Sequence, residues 1–279
     1  MNDLQRKELE VFEQVAAVCE KHGLRYYALG GTLLGTVRHQ GFIPWDDDID
    51  LAMPRPDYDR FMRLAPLELP ENLRVTDYRT TGIERPTYFC VVKDLSTRID
   101  LNWAGETEHG HVWIDIFPLD PMPSLSALRS LRKYRLLYQR MMVQFSNYDK
   151  LVHQHRANRP AHEKALMAFH EKTGWGADKD TCELYAQTER IVTRRSYDKA
   201  AYVVNLFGAY KFREMFPRTW FGEAVKLPFE DTLMPVPREY DLVLRSLYGD
   251  YLQMPPEEER GQQHCMTVIS LGEDDACDA

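Results

Sequence analysis

The stretch from Tyr27 to Phe61 most constrains what this chain can fold into, because acids alternate with apolar residues shortly after a glycine turn. It reads YALGGTLLGTVRHQGFIPWDDDIDLAMPRPDYDRF. Side chains two residues apart on a strand share a face, so Asp48 and Asp50 point one way while Ile49 and Leu51 point into the core. Neighbouring carboxylates repel each other unless a cation lies between them, and hard oxygen ligands suit Mg²⁺ or Mn²⁺. The pattern predicts a metal centre on a half-buried strand; the open alternative is a solvated acidic loop.

The segment before these acids has the character of a phosphate-binding turn. Residues 24–29 (LRYYAL) are an apolar and aromatic run that ends at Gly30 and Gly31. This pattern is typical of a buried strand followed by a turn. Glycines let backbone amides approach a phosphate closely, and Thr32 adds a hydroxyl at the start of a predicted helix. A tight connection without any ligand is the alternative interpretation of the two glycines.

A third carboxylate follows on a second apolar run. Residues 111–119 read HVWIDIFPL, so Asp115 lies between Ile114 and Ile116. A buried carboxylate is costly unless a metal, a base or a raised pKa compensates it. A glycine turn, an Asp-x-Asp strand and a later single aspartate form the three-carboxylate pattern of the nucleotidyltransferase fold. Two metal ions bridged by such carboxylates, about 3.5–4 Å apart, can serve an in-line displacement at phosphorus.

Three blocks of the sequence resemble the LicD family of phosphotransferases, which includes the fukutin-like region. The blocks are LGGTLLGTVRHQGFIPWDDDIDLAM (29–53), WIDIFPLD (113–120) and KLPFEDTLMPVPREYDLVLRSLYGDYLQMPP (226–256). The resemblance implies transfer of a phosphorylated alcohol, typically phosphocholine, from a CDP-linked donor to a hydroxyl of a cell-surface glycan of the lipopolysaccharide or teichoic acid type. It also implies attack on the β-phosphorus of the donor, so that CMP leaves.

The predicted site follows from the acids and this resemblance. Asp48 and Asp50 are expected to hold two Mg²⁺ or Mn²⁺ ions, and Asp115 to hold one of them and help deprotonate the acceptor hydroxyl. Gly30, Gly31 and Thr32 are expected to cradle the donor phosphate.

Three further residues are candidates for substrate binding. Arg38 offers a bidentate fork for a phosphate, or is a surface arginine. Lys93 lies in a run where the family has a comparable lysine, which makes it a candidate phosphate contact. The alternative is an edge-strand lysine whose ammonium group reaches solvent. Trp45 stacks on a base or a choline head, or only packs. A choline head would need an aromatic cage, for which Trp45, Trp103, Trp113 and Tyr88 lie near the motifs in sequence. A ribitol or glycerol donor would need hydroxyl partners instead.

Two rival functions stay open at this point. One is a nucleotidyltransferase that acts on a nucleoside triphosphate and releases pyrophosphate. The other is a non-catalytic nucleotide-binding protein on the same fold, although such a protein need not keep all three aspartates.

Composition excludes several classes of protein. The chain has 279 residues and a formal net charge of −8, which argues against nonspecific nucleic-acid binding. No signal peptide and no apolar run long enough to span a bilayer are evident. The five cysteines have no metal-ligand spacing and are expected to be reduced thiols. We expect a cytoplasmic protein, which a lipid-linked acceptor could draw to the inner membrane face.

The predicted fold is α+β, with a nucleotidyltransferase-like mixed sheet, a helical insertion and a C-terminal helical segment. The expected parts are a catalytic core over residues 1–120, a helical insertion over 121–200, and a segment over 201–279 that returns to the core and has a disordered tail. The clearest predicted helices are an amphipathic one at 3–22 and a basic one at about 124–146, the latter either solvated or in contact with an anionic acceptor or lipid surface.

Overall fold

The computed structural model describes residues 1–83, 85–103, 106–152, 159–261 and 266–272. Over these residues the fold is α+β, which confirms the prediction. The helices are α1 (Asp3–His22), α2 (Gly30–His39), α3 (Arg55–Glu68), α4 (Ser126–Ser146), α5 (Tyr148–Leu151), α6 (Ala161–Thr173), α7 (Thr181–Val192) and α8 (Tyr240–Tyr248). The strands are β1 (Tyr27–Ala28), β2 (Asp50–Pro54), β3 (Leu73–Thr76), β4 (Cys90–Asp94), β5 (Arg98–Trp103), β6 (Glu106–Gly110), β7 (Trp113–Met122), β8 (Tyr202–Val204), β9 (Met215–Pro217), β10 (Val225–Phe229), β11 (Thr232–Val236) and β12 (Met266–Ser270).

A mixed central sheet organises the molecule. Its strand order is β1-β2-β7-β4-β3, and β8 and β9 extend it from the far end of β7. Strands β2 and β7 are parallel, whereas β7 pairs with β4 and β4 pairs with β3 in antiparallel fashion. The long strand β7 therefore lies at the centre, with the start of β2 beside its own start.

The N-terminal helix forms as the sequence predicts and has a clear start and end. Asn2 and Gln5 form a capping box, in which each side chain accepts from the other residue's backbone N–H. Gly23 ends the helix in the left-handed conformation, with φ 59°. The apolar stripe that includes Val11, Phe12 and Val15 is buried in the main core.

One face of the central sheet is closed by helices and the other is partly open. Leu51, Ile114 and Ile116 are fully buried in the same core as the apolar stripe of α1, while α3 contacts β2, β3 and β7. The residues that alternate with them, Trp113 and Asp115, are only partly buried. The half-open face carries the polar side chains, as the alternation of the sequence predicts.

The smaller sheets lie beside this core. Hairpin β10–β11 contacts α2 and β1, and β12 pairs with β5 in a sheet that also contains β6. The sequence of residues 104–111 (AGETEHGH) predicts a hairpin loop before the Asp115 strand, but 106–110 form β6. Strand β12 was not predicted, because its pairing with β5 joins segments that are distant in sequence. The expected disordered tail, GEDDACDA (272–279), lies almost entirely outside the described residues, and the three-part division at residues 120 and 200 stays a prediction.

No helix within the described residues is long and apolar enough to cross a bilayer.

Candidate active site

The register of the parallel strands brings two of the predicted aspartates together. Asp50 is the partner of Asp115 across the β2–β7 ladder, and the backbone N–H of Asp115 donates to the Ile49 carbonyl at 2.9 Å. Partners in a ladder project from the same face, and their neighbours Leu51 and Ile116 are fully buried on the other. Both carboxylates therefore project from the half-open face.

Asp48 precedes strand β2, but the alternation of buried and partly exposed side chains already begins there. Strand β2 begins at Asp50, so we were wrong to extend it to Asp48. Ile49 is nevertheless fully buried, while Asp48 and Asp50 are partly exposed. Burial raises the pKa of Asp50, and the nearby charge of Asp48 raises it further.

The predicted glycine turn is the first turn of α2, and it lies against the acids. Gly30 has a φ of 57°, and a Cβ there would lie 3.0 Å from Asp50 Oδ2. A Cβ at Gly31 would overlap Asp46 Oδ2. The absence of side chains thus allows a helix N-terminus to approach the carboxylates, where its free amides favour negative charge.

Thr32 makes a contact that the sequence did not reveal. Its hydroxyl oxygen accepts a hydrogen bond from the Asp50 backbone N–H at 2.8 Å, and the residue is buried. This bond ties the start of α2 to the first residue of β2 and fixes the position of Asp50. The phosphate contacts of Gly30, Gly31 and Thr32 stay predictions.

Asp50 is surrounded by the negative charges of four other carboxyl groups. Burial raises the pKa of Asp50 well above its usual range, and the charges of Asp48, Asp115, Asp46 and Glu214 raise it further. Such a concentration of hard carboxylate oxygens has the chemistry that Mg²⁺ or Mn²⁺ requires.

A complete protein cage for a metal ion is not formed. Among the described residues, no three His, Cys, Asp or Glu side chains converge closely enough to hold an ion by themselves. Magnesium in phosphate-transfer sites is usually held by one or two carboxylates together with substrate phosphates and waters. The paired Asp50 and Asp115, with Asp48 nearby, fit a site that the donor's own phosphates would complete.

A buried glutamate of α1 also belongs to this acidic region. Glu8 is 2% exposed, and its Oε2 has no hydrogen-bond partner among the described residues. Burial raises the pKa of Glu8 well above its usual range, followed by the charges of Asp48, Asp47 and Asp46. The sequence held a signal for this residue, because Glu8 falls on the apolar stripe of an otherwise amphipathic helix.

A loop from the far end of the chain supplies another acid. Glu214 is buried and accepts hydrogen bonds from Asn205 Nδ2 at 2.7 Å and from the Tyr210 N–H at 2.8 Å. Burial raises the pKa of Glu214 to about 7 against the opposing effect of these bonds. A Cβ at Gly208 would overlap its carboxylate. Its charge contributes to the raised pKa of Asp50, so this loop forms a wall of the site.

Tyr248 adds an aromatic group to the same wall. It ends α8, and its ring meets the Tyr210 ring edge-on with 5.7 Å between centroids. Burial raises the pKa of Tyr248, with Tyr210, Asp50 and Glu214 as further causes. Tyr248 opens the YGDYLQMPP block, whose role the sequence did not reveal. Sequence reasoning missed Tyr248 and Glu214 because no local pattern links them to the acids.

Two predicted substrate residues face the C-terminal segment. The guanidinium of Arg38 donates to the carbonyls of Tyr251 at 3.1 Å and Gln253 at 3.5 Å. Trp45 meets the His39 ring edge-on, and the Arg260 guanidinium lies 5.6 Å from the centroid of the indole. The face that we expected to stack on a base or choline is thus adjacent to a cation of the chain itself.

Lys93 lies on the acid-bearing face. On β4, Val91 is opposite Asp115 and Lys93 is opposite Trp113, so all four side chains project to the same side. Lys93 is partly buried there. Its position is compatible with a phosphate contact, which stays a prediction.

The aromatic cage has less support from the structure. Tyr88 is buried, and its hydroxyl donates to Asp120 and accepts from Arg55. It is therefore part of an internal polar network. The side chain of Trp103 lies outside the described residues.

Known proteins similar to this chain include two transferases of phosphorylated alcohols. Residues 23–129 match the model of the LicD/FKTN/FKRP nucleotidyltransferase domain. The chain is 27% identical over 265 residues to the lipopolysaccharide cholinephosphotransferase LicD of Haemophilus influenzae, which covers 94% of this chain and 95% of that protein. It is 30% identical over 112 residues to the ribitol 5-phosphate transferase FKRP of Homo sapiens, covering 40% of this chain but 20% of that protein.

The matched domain includes the glycines, the alternating acids and the strand with Asp115, and the cholinephosphotransferase match extends over nearly the whole chain. Residues 23–129 are thus similar to the LicD-type nucleotidyltransferase domain, and the chain as a whole is similar to a lipopolysaccharide cholinephosphotransferase.

Proposed function

We propose that this chain transfers phosphocholine from CDP-choline to a hydroxyl of a cell-surface glycan in a metal-dependent reaction. The observation that carries the proposal is the pairing of Asp50 with Asp115 on the half-open face of the sheet. The similarity to a lipopolysaccharide cholinephosphotransferase over 94% of the chain supports phosphocholine as the transferred group and lipopolysaccharide as the kind of acceptor.

Asp48, Asp50 and Asp115 would hold one or two Mg²⁺ or Mn²⁺ ions together with the donor phosphates. When bound, the metal would neutralise the charge that develops on the transferred phosphoryl group. The chain's contribution is positioning: Thr32 fixes the start of β2 through the Asp50 N–H. Such preorganisation supplies most of the rate in phosphoryl transfer, because little covalent chemistry falls to the protein.

The remaining residues would divide between donor and acceptor. The free amides at Gly30 and Gly31 would bind a donor phosphate, and Lys93 would reach it from the neighbouring strand. Asp115 would accept the proton of the acceptor hydroxyl as that oxygen attacks the β-phosphorus. CMP would then leave with the electron pair of the broken phosphoanhydride bond.

A second donor is favoured by a specific observation. The match to the ribitol 5-phosphate transferase covers 112 residues at 30% identity, in a stretch comparable in length to the nucleotidyltransferase domain. In addition, Arg260 lies close to the face of Trp45, where a quaternary ammonium group would otherwise stack. CDP-ribitol is therefore the alternative donor to test.

The deciding experiment measures CMP release from CDP-choline with Mg²⁺, with and without purified lipopolysaccharide. The Asp50→Asn variant should lower the acceptor-dependent release by about 100-fold or more. Asp100→Asn is the matched control, because Asp100 lies on β5 in the separate small sheet and pairs with His109.

Other outcomes discriminate between the rivals. Release from CDP-ribitol or CDP-glycerol, but not from CDP-choline, would keep the mechanism and change the substrate. Pyrophosphate formed from a nucleoside triphosphate and an acceptor would favour the nucleotidyltransferase. Tight metal-dependent CDP binding without any turnover would favour a non-catalytic protein.

A further inference from the structure

The outer half of α4 combines exposed apolar side chains with uncompensated positive charge. Between Asp120 and Asp149 the chain has five Arg or Lys residues and no Asp or Glu, although its net charge is −8. Nearly all side chains from Ser126 to Arg135 are exposed or half-exposed, so this part of the helix projects from the body. Because this helix is positively charged and has no acidic residues of its own, its field favours association with an anionic partner.

The apolar side chains of this half form one row. Leu128, Leu131, Tyr134 and Tyr138 follow one another at spacings of three, three and four residues, which places them on one side of the helix. They are 48%, 69%, 72% and 49% exposed, respectively. An exposed row of leucines and tyrosines next to basic residues is typical of helices that lie in a membrane interface.

Four arginines flank this row without carboxylate partners. Arg132 and Arg135 lie on α4, while Arg194 and Arg195 follow α7, which packs on α4. Burial lowers the pKa of Arg132, and the like charges of the other three lower it further. Among the described residues none of the four forms an ion pair, and Arg132 Nη1 is buried without a hydrogen-bond partner. Phosphate groups of lipids would relieve this repulsion.

The same helix leads from this surface to the active site. Four residues of its second half are buried, namely Leu136, Met142, Val143 and Phe145. Arg140 donates to the carbonyls of Leu206 and Gly208, which belong to the wall that holds Glu214. Twelve residues separate Leu128 from Arg140, or about 18 Å at the rise of an α-helix. An acceptor anchored in a membrane would therefore present its glycan near the catalytic acids.

We propose that the row Leu128, Leu131, Tyr134 and Tyr138, together with Arg132, Arg135, Arg194 and Arg195, docks the protein onto an anionic lipid bilayer. The side chains of the row enter the interface while the arginines contact lipid phosphates. The docking does not depend on which CDP-alcohol is the donor.

Vesicle flotation with the full chain tests the proposal. The protein should bind vesicles of phosphatidylglycerol and phosphatidylcholine, bind pure phosphatidylcholine much less, and be released by 0.5 M salt at about a 4 Å Debye length. Leu131→Glu and Arg135→Glu should each weaken binding about tenfold or more. Leu67→Glu is the matched control, because Leu67 is 83% exposed on α3, and it should bind like the wild type.

Three results would overturn the proposal. These are failure to bind anionic vesicles, equal binding by Leu131→Glu and Leu67→Glu, and a dimer in light scattering that Leu131→Glu converts to monomer. The last result would assign the surface to a second copy of the chain. Vesicle binding is measured without donor, and CMP release with delipidated glycan is measured separately, so failure of docking and failure of the proposed reaction are distinguishable.

Discussion

Asp50 and Asp115 stand opposite each other on neighbouring parallel strands, and both project from the half-open face of the central sheet. Replacing either with asparagine should lower CMP release by about 100-fold or more, because each change removes a carboxylate that would hold the charge-neutralising metal ion. The fold should survive, since Asn keeps the size of the side chain. Circular dichroism checks the fold, and activity within threefold of the wild type in both variants would refute the assignment.

Divalent metal should stabilise the protein through the same pair. A ligand that binds only the folded state adds about 2.7 kcal/mol at 100 times its dissociation constant. Because donor phosphates would complete the site, Mg²⁺ together with CDP should raise the melting temperature, and EDTA should reverse the effect. Asp50→Asn should remove most of this response. Superimposable melting curves of the wild type in CDP with Mg²⁺ and in CDP with EDTA would contradict a metal site.

Glu214 should make stability depend on pH. A carboxyl group with a pKa raised from 4.5 to about 7 binds its proton more tightly in the folded state. Its contribution to stability is therefore full below pH 4.5 and is lost as pH rises through 7. Relative to wild type, Glu214→Gln should gain up to about 3 kcal/mol in unfolding free energy between pH 4.5 and pH 8.

Urea denaturation in EDTA across this pH range measures the Glu214 effect. Glu13→Gln, a change at an exposed glutamate of α1, serves as the control. A constant difference between wild type and Glu214→Gln from pH 4.5 to pH 8 would show that the carboxyl group titrates alike in both states.

Arg55 should hold α3 to β7 through a buried ion pair. Its Nε donates to Asp120 Oδ1 at 2.7 Å, and its Nη2 donates to the Tyr88 hydroxyl at 3.0 Å. Arg55→Met should cost about 3–5 kcal/mol, because it leaves the Asp120 carboxylate buried and unpaired. The double variant Arg55→Met with Asp120→Leu should recover most of this loss in urea denaturation.

An exposed pair provides the comparison for Arg55. Arg245 pairs with Asp241 on the surface of α8, and Arg245→Met should change the denaturation midpoint little. If Arg55→Met were equally mild, the buried pair would contribute little to stability.

Arg38 should position the C-terminal block. Because its guanidinium donates to the carbonyls of Tyr251 and Gln253, Arg38→Ala should speed proteolytic cleavage near residues 250–256 and lower activity. Arg38→Lys should show an intermediate effect, since a lysine lacks the planar fork. A raised KM for the donor with unchanged proteolysis would instead assign Arg38 to the donor phosphate.

Local patterns were sufficient for the regular elements. The apolar stripe of α1, together with Gly23, predicted a helix over 3–22, and the structure has Asp3–His22. The prediction of a basic helix at 124–146 is confirmed by α4. Helix stripes and capping residues are short-range properties, so they can be recognised without knowledge of the fold.

The alternation of acids was also sufficient to predict which face Asp50 and Asp115 occupy. It could not give their pairing, because the register of two parallel strands depends on a crossover and on packing between distant segments. It likewise could not assign the Thr32 hydroxyl to the Asp50 N–H.

The sequence by itself determined the α+β class, the three aspartates and the family resemblance, since these depend on residue types and spacings within short segments. Only the tertiary structure decided that Glu8, Glu214 and Tyr248 lie in the electrostatic environment of the acids. The physical reason is that charge interactions act through space, whereas a sequence pattern records only neighbours along the chain. The wall of the site therefore consists of residues that are far apart in the sequence and adjacent only in the folded structure.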